Sequence, residues 1–219
     1  MGYTHYWRIK EPQALAQAMP KIAADLKQLL PHLPPLAGPF GTGKPEIGEV
    51  IAFNGVAPKD DYESFVLDPF EPVPEWRKDE GHFAFCKTGR RPYDLAVTAT
   101  LLLARHHAGD AITVFSDGSV TEWLPAARLI RKHLGYPISV FRALDRTPLM
   151  FRDREGRVFF YEQNNARDIG FANVLQHLNE LHTHRVIPFT PPFTYAGTYW
   201  GPEDLFPGHL EENPTPLLS

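Results

Sequence analysis

The sequence predicts an α+β fold: a mixed sheet with a strand–helix–strand–helix crossover unit packed on two to three helices, then a C-terminal hairpin, helix and arm. Three observations carry that expectation. Residues 82–134 alternate between strand-like and helix-like periods, which calls for parallel strands joined by a helical crossover. Residues 92–107 are apolar nearly all round (Leu95, Ala96, Val97, Ala99, Leu101, Leu102, Leu103, Ala104), as a central buried helix requires. The 22 prolines, about twice the usual share of roughly 5%, cluster at 31–45, 58–74, 188–192 and 202–216 and leave the blocks between them free to be regular.

Each element follows from its local pattern. Residues 3–9 alternate and are aromatic, so they form a strand. Residues 12–30 place Leu15, Met19, Ile22, Leu26, Leu29 and Leu30 on one helical face. A strand over 50–56 closes at the turn pair Asn54-Gly55; 64–67 is a short edge strand and 82–87 a longer one. The helix over 92–107 stops at Gly109, with Arg105, His106 and His107 at its negative dipole end. A strand over 111–115 leads into the turn Ser116-Asp117-Gly118. Ser119 and Glu122 are spaced as a capping box for a helix that runs to Leu134 and stops at Gly135. A further strand is expected over 138–141. Met150-Phe151-Arg152 and residues 157–162 flank Asp153-Arg154-Glu155-Gly156 as a hairpin. A helix over 166–184 and a short strand over 186–189 follow. From Pro191 the chain is aromatic, proline-rich and without period, and reads as an arm lying on the body or on a neighbouring subunit. The expected domains are a core over 1–145, a hairpin–helix appendage on the same body over 146–190, and the arm over 191–219.

Bulk properties exclude several classes. Net charge is −4 and the pI about 6.2, so no global positive field calls for nucleic acid, which is not an expected partner. One cysteine excludes an internal disulfide framework and a thiolate-rich zinc site. No apolar run approaches the ~20 residues of a membrane span, and the opening residues lack an apolar signal core, so the cytoplasm is the expected location and a membrane partner is not.

The chemistry concentrates at 82–94. An apolar run ends in Cys86, three cations (Lys87, Arg90, Arg91) fall within five residues, and a helix begins at Pro92. Unpaired N–H groups at a helix start attract anions. Ligands of parallel sheets bind beyond the strands' carboxyl ends, where Lys87-Thr88 and Ser116-Asp117 emerge together. Lys87, Thr88, Arg90 and Arg91 therefore read as phosphate or carboxylate contacts, and Tyr93 as a stacking partner for a planar ring. Tyr3, His5 and Trp7 alternate on one strand face and line a pocket wall, with Asn54 and Asp117 nearby. The first expectation is a protein that binds a small anionic, nucleotide-like ligand, with no cofactor. An alternative is a hydrolase or transferase acting on such a ligand. In it Cys86, activated by the cations and the helix start, has His5 or His82 as base and Asp94 or Asp117 as orienter. If Phe83 and Phe85 face the core, Cys86 and His82 share the opposite face. A third reading is a protein–protein module whose arm, residues 189–207, docks on a host factor or builds a homo-oligomer.

Other signals carry less. Residues 38–44 have the glycine and lysine spacing of a P-loop, but Pro45 replaces the magnesium-binding hydroxyl and no strand precedes. The acidic stretch from Asp60 to Glu80 lacks metal-ligand spacing. His106, His107, His177, His182 and His184 sit near helix ends as dipole partners, so no metal is expected.

The ordered set Met1-Gly2-Tyr3-Thr4-His5-Tyr6-Trp7, Phe53-Asn54-Gly55, Phe85-Cys86-Lys87-Thr88, Pro92-Tyr93-Asp94 and Ser116-Asp117-Gly118 resembles a family of small uncharacterised proteins encoded by bacteria and their phages. The resemblance covers about residues 1–135 and brings no activity or catalytic set. It implies a phage or mobile-element setting, in which sequestering a host signalling nucleotide is a fitting role.

Overall fold

The computed structural model describes residues 3–72, 82–164, 171–185, 187–198 and 209–210. The chain divides into Met1–Leu144 and Asp145–Ser219. In the first unit the order is β1 (Thr4–Ile9), α1 (Pro12–Leu29), β2 (Leu36–Ala37), β3 (Glu46–Ile47), β4 (Ile51–Gly55), β5 (Phe65–Leu67), β6 (His82–Lys87), α2 (Asp94–Ala108), β7 (Ile112–Ser116), α3 (Val120–Leu134) and α4 (Val140–Ala143). The class is α+β, as the sequence predicts.

The principal sheet has the order β6-β1-β7, with β1 antiparallel to both neighbours. β6 and β7 therefore run parallel to each other with β1 inserted between them, and α2 is the crossover. The two carboxyl ends do emerge at one edge, beside the start of β1. A second sheet has the order β2-β4-β3, with β5 also paired to β4, and Ile51 to Gly55 are buried throughout.

Register sorts the side chains into two faces. His5 lies opposite Cys86 and Ser116, Trp7 opposite Ala84 and Val114, and Ile9 opposite His82 and Ile112. Trp7, Ile9, Cys86, Ile112 and Val114 join the core with α1, α2 and α3. Every residue of α2 from Ala96 to Ala104 is buried, which explains its all-round apolar composition. Phe83 and Phe85 therefore point away from the core, reversing the facing that would have put Cys86 outside. Burying Trp7 and Ile9 on β1 decides this, because a side-chain period of two couples every paired residue to that choice.

Residues 138–141 do not form a strand. Val140–Ala143 is a single helical turn whose N-cap, Ser139, accepts a hydrogen bond from the Arg142 N–H. The capping hydroxyl prevails over the β propensity of Ile138 and Val140.

In the second unit, β8 (Arg146–Arg152) and β9 (Val158–Asn164) form the expected hairpin, longer at its open end than the pattern suggests. It is followed by α5 (Phe171–Thr183), β10 (Thr194–Thr198) and β11 (His209–Leu210). The expected helix residues 166–170 lie outside the described residues, and 187–189 are not a strand. The segment read as an aperiodic arm supplies two strands: β10 pairs antiparallel with β8, and β11 parallel with β9. An open hairpin edge presents unpaired N–H and C=O groups, and β10 satisfies one side of it. Leu149, Phe151, Phe159, Tyr161, Val174, Leu178 and Ile187 form this unit's own core.

Candidate functional site

Three chain ends are tied together at the carboxyl edge of β6 and β7. The N–H groups of Thr88 and Gly89 both donate to the Tyr3 carbonyl (3.1 and 3.2 Å), and the Asp117 N–H donates to the Thr4 carbonyl at 3.0 Å. Gly89 and Arg90 are consecutive left-handed residues, at φ 57° and 58°, and turn the chain from β6 into α2. Arg90 is held there by its contacts. Its guanidinium lies 4.0 Å from the Tyr3 ring centroid, and its Nε donates to Glu122 Oε1 at 2.8 Å. Glu122 Oε2 in turn accepts the Ser119 N–H in the capping box that starts α3.

His5 is the centre of this edge and is fully buried. Its Nδ1 is 2.9 Å from Ser116 Oγ and its Nε2 is 2.7 Å from Asp94 Oδ1. Ser116 Oγ also accepts the Gly118 N–H at 2.8 Å and the Trp123 Nε1–H at 3.3 Å. With both lone pairs so engaged, the serine hydroxyl donates to Nδ1, which leaves the imidazole proton on Nε2 to donate to Asp94. Thr88 Oγ1 donates to the same carboxylate oxygen at 2.5 Å. Tyr3 and Trp123 meet the imidazole edge-on from two sides, at 4.9 and 5.0 Å between centroids, and hold its orientation. Ser116, at the strand–turn–helix junction of β7 and α3, and Asp94, at the start of α2, are both partly exposed, with only His5 between them fully buried.

The other expected residues have different surroundings. Asp117 does not reach His5: its Oδ2 accepts the Thr4 N–H at 3.0 Å and its Oδ1 the Tyr6 hydroxyl at 3.4 Å. His82 sits at the far end of β6, opposite Ile9. Cys86 is buried, with its thiol donating to the Glu63 carbonyl at 3.4 Å, and burial pushes that thiol up to about 12. The His5 imidazole opposite it is committed to Ser116 and Asp94, so this neutral, enclosed thiol is a core residue, which removes the grounds for a Cys86 nucleophile. The cations that were to activate it lie on the opposite face or in the turn beyond.

Tyr3, Trp7, Asn54 and Tyr93 are each 0–1% exposed, so they pack the core. Asn54 braces the segment after β4: its Oδ1 accepts the Gly55 and Tyr62 N–H groups, and its Nδ2 donates to the Tyr62 carbonyl. The Tyr93 hydroxyl donates to the Glu63 carbonyl at 2.6 Å. The start of α2 is not the open anion cradle its sequence suggests. The N–H groups of Asp94, Leu95 and Ala96 donate to the carbonyls of Arg91, Pro92 and Tyr93 in a tight turn that runs into the helix. Lys87 and Arg91 do remain accessible, and among the described residues neither is ion-paired.

Sequence reading missed Ser116, Glu122 and Trp123. The available signal was a serine ending a strand directly before a turn and a capped helix. Among the described residues no group of three or more His, Cys, Asp or Glu side chains is placed to hold a metal ion. No helix among them is long and apolar enough to cross a membrane. Comparison with protein-family models, with curated proteins and with solved structures finds no match.

Proposed function

We propose that this protein is a hydrolase that uses Ser116 as nucleophile, His5 as general base and Asp94 as orienting carboxylate on an ester of a small anionic, nucleotide-like molecule. The observation that carries the reading is the His5 imidazole bridging Ser116 Oγ and Asp94 Oδ1 at 2.9 and 2.7 Å, the relation of nucleophile, base and orienter that acyl transfer needs. Ser116 Oγ attacks the carbonyl carbon as its proton passes to Nδ1, and Asp94 stabilises the imidazolium. The departing alkoxide takes that proton from His5, and water then cleaves the acyl–serine bond with His5 again as base. Lys87 and Arg91 hold the anionic part of the substrate, which makes Cys86 unnecessary.

The test is intact-mass and peptide mapping after exposure to a fluorophosphonate, with p-nitrophenyl acetate turnover as second readout. One phosphonyl group on Ser116, lost in Ser116→Ala, is expected. Turnover should fall by roughly four orders of magnitude in Asp94→Asn, as when an orienting carboxylate becomes an amide. A wild-type protein that takes no label and turns over no faster than Ser116→Ala sinks the proposal.

One observation favours a second reading, binding without turnover: Ser116 Oγ already accepts two N–H bonds, while Lys87 and Arg91 at the same edge form no ion pair among the described residues. A phage product of this kind would sequester a host signalling nucleotide. Native mass spectrometry of protein purified from cells then shows an unconverted adduct that Lys87→Ala/Arg91→Ala loses. A bare protein, or a converted ligand, excludes it.

A further inference from the structure

We propose that the outer face of the β6-β1-β7 sheet is a stacking platform for single-stranded nucleic acid. The inference is independent of the hydrolytic reading, because it uses the opposite face of the sheet.

An antiparallel sheet with one face on the core normally presents polar side chains on the other. Here the register lays out two rows across the strands: Phe85, Tyr6 and Phe115, then Phe83, Arg8 and Thr113. Phe85 is 49% exposed, and Tyr6, Phe83 and Phe115 are each partly exposed. Tyr6 is stacked with Phe83 at 6.1 Å between centroids and 22° between planes, and lies 6.5 Å from Phe85. Phe85 on this face forgoes burial worth about 25 cal/mol per Å², and with three partly exposed rings beside it the patch marks a contact surface.

Interleaved cations select the occupant. Arg8 is exposed, Lys87 continues the outer face of β6, and among the described residues neither is ion-paired. Flat sheet faces carrying two or three aromatic rings hold unstacked bases, and every base has a π-face, so binding is sequence-tolerant. Among the described residues two carboxylates border the platform: Asp117, which accepts the Tyr6 hydroxyl, and Glu63, which accepts the Lys87 N–H at 2.7 Å. With two cations on this face among the described residues, Lys87 also lying over the Tyr62 ring at 5.7 Å, and a net charge of −4, stacking carries the affinity. Composition argued against nucleic acid because charge is summed over the chain, whereas rings and cations are interleaved only once three distant segments pair.

The experiment is fluorescence anisotropy with labelled oligothymidylate, oligouridylate and a blunt DNA duplex of equal length, titrated with the full chain at low and moderate salt. Both single strands should bind and the duplex should not. Phe85→Ala, at an exposed position, should weaken single-strand binding roughly five- to a hundredfold, the loss of stacking for about one base. Arg8→Ala should make the salt slope shallower by about 0.7, the contribution of one phosphate on a single strand. Failure of wild type to bind either single strand at low salt overturns the proposal, as does binding that Phe85→Ala/Phe83→Ala leaves unchanged. Sedimentation showing a dimer that Phe85→Ala dissociates would assign the face to a second copy of the chain and also overturn it.

Discussion

Gly118 and Tyr3 are in direct contact: a β-carbon at position 118 would lie 2.8 Å from Tyr3 Cε2 and closer still to the hydroxyl oxygen. The turn after β7 thus closes over the ring that also lies against the Arg90 guanidinium and meets His5 edge-on. Gly118→Ala should lose about 1–3 kcal/mol, the usual cost of overpacking a filled site. Tyr3→Phe removes the nearest atom, so the double variant should be more stable than the sum of the two single losses allows. Urea unfolding of all four proteins gives the coupling, and strict additivity would refute the contact.

Cys86 should be inert while the chain is folded. A thiol pushed up to about 12 by burial has almost no thiolate at pH 8. Its reaction with Ellman's reagent should be about a thousandfold slower than that of a free cysteine, which titrates near 8.5. Rapid stoichiometric reaction without denaturant would contradict the buried placement.

Asp25 links stability to acid. Burial alone pushes its carboxyl up, but hydrogen bonds from Lys21, His107 and Tyr136 outweigh this and hold it below the usual carboxylate value. Lys21 Nζ and His107 Nε2 are each 2.7 Å from it. Because the folded value lies below the unfolded one near 3.9, the contribution is fully present above about pH 4 and is lost as pH falls through the folded value. Thermal melts should show stability falling below about pH 4, with a flatter acid limb and lower neutral-pH stability in Asp25→Asn. An unchanged acid limb in that variant would remove Asp25 from the linkage.

Asp153 organises the hairpin of the second unit. Its Oδ1 accepts the Glu155 and Arg157 N–H groups at 3.0 and 2.9 Å, and its Oδ2 accepts Arg157 Nε at 2.8 Å and the Thr190 N–H at 3.2 Å. Asp153→Ala strands those donors and should cost about 2–3 kcal/mol, the scale of hydrogen bonds to a charged group. Hydrogen exchange should accelerate at β8 and β9 amides while those of β1 and β7 keep their protection. Equal acceleration in both sets would mean that the effect is global.

Most helices and strands were legible because their signals are local. The capping box Ser119–Glu122, the stop at Gly135 and the all-apolar run of α2 each lie within a few turns of chain, and each appears as read. Misreadings arose where a local signal competed with pairing. Ile138 and Val140 favour a strand, yet Ser139 caps a helical turn. Residues 194–198 show no period, yet they become an edge strand because the β8 backbone offers them partners. The Pro92 junction suggests open N–H groups that the preceding turn in fact satisfies.

The sequence by itself determined the succession of elements, the crossover over 82–134 and the edge at which Lys87-Thr88 and Ser116-Asp117 meet, since period, caps and turn residues act over short stretches of chain. Only the tertiary structure decided which face of β6 turns outward. It alone also brought His5 to Ser116 and Asp94, across sequence separations of 111 and 89 residues. The physical reason is register: burying Trp7 and Ile9 on one face of β1 sets the facing of every residue paired with it. That one choice buries Cys86, exposes the phenylalanines on either side of Ala84 and places the imidazole between a hydroxyl and a carboxylate.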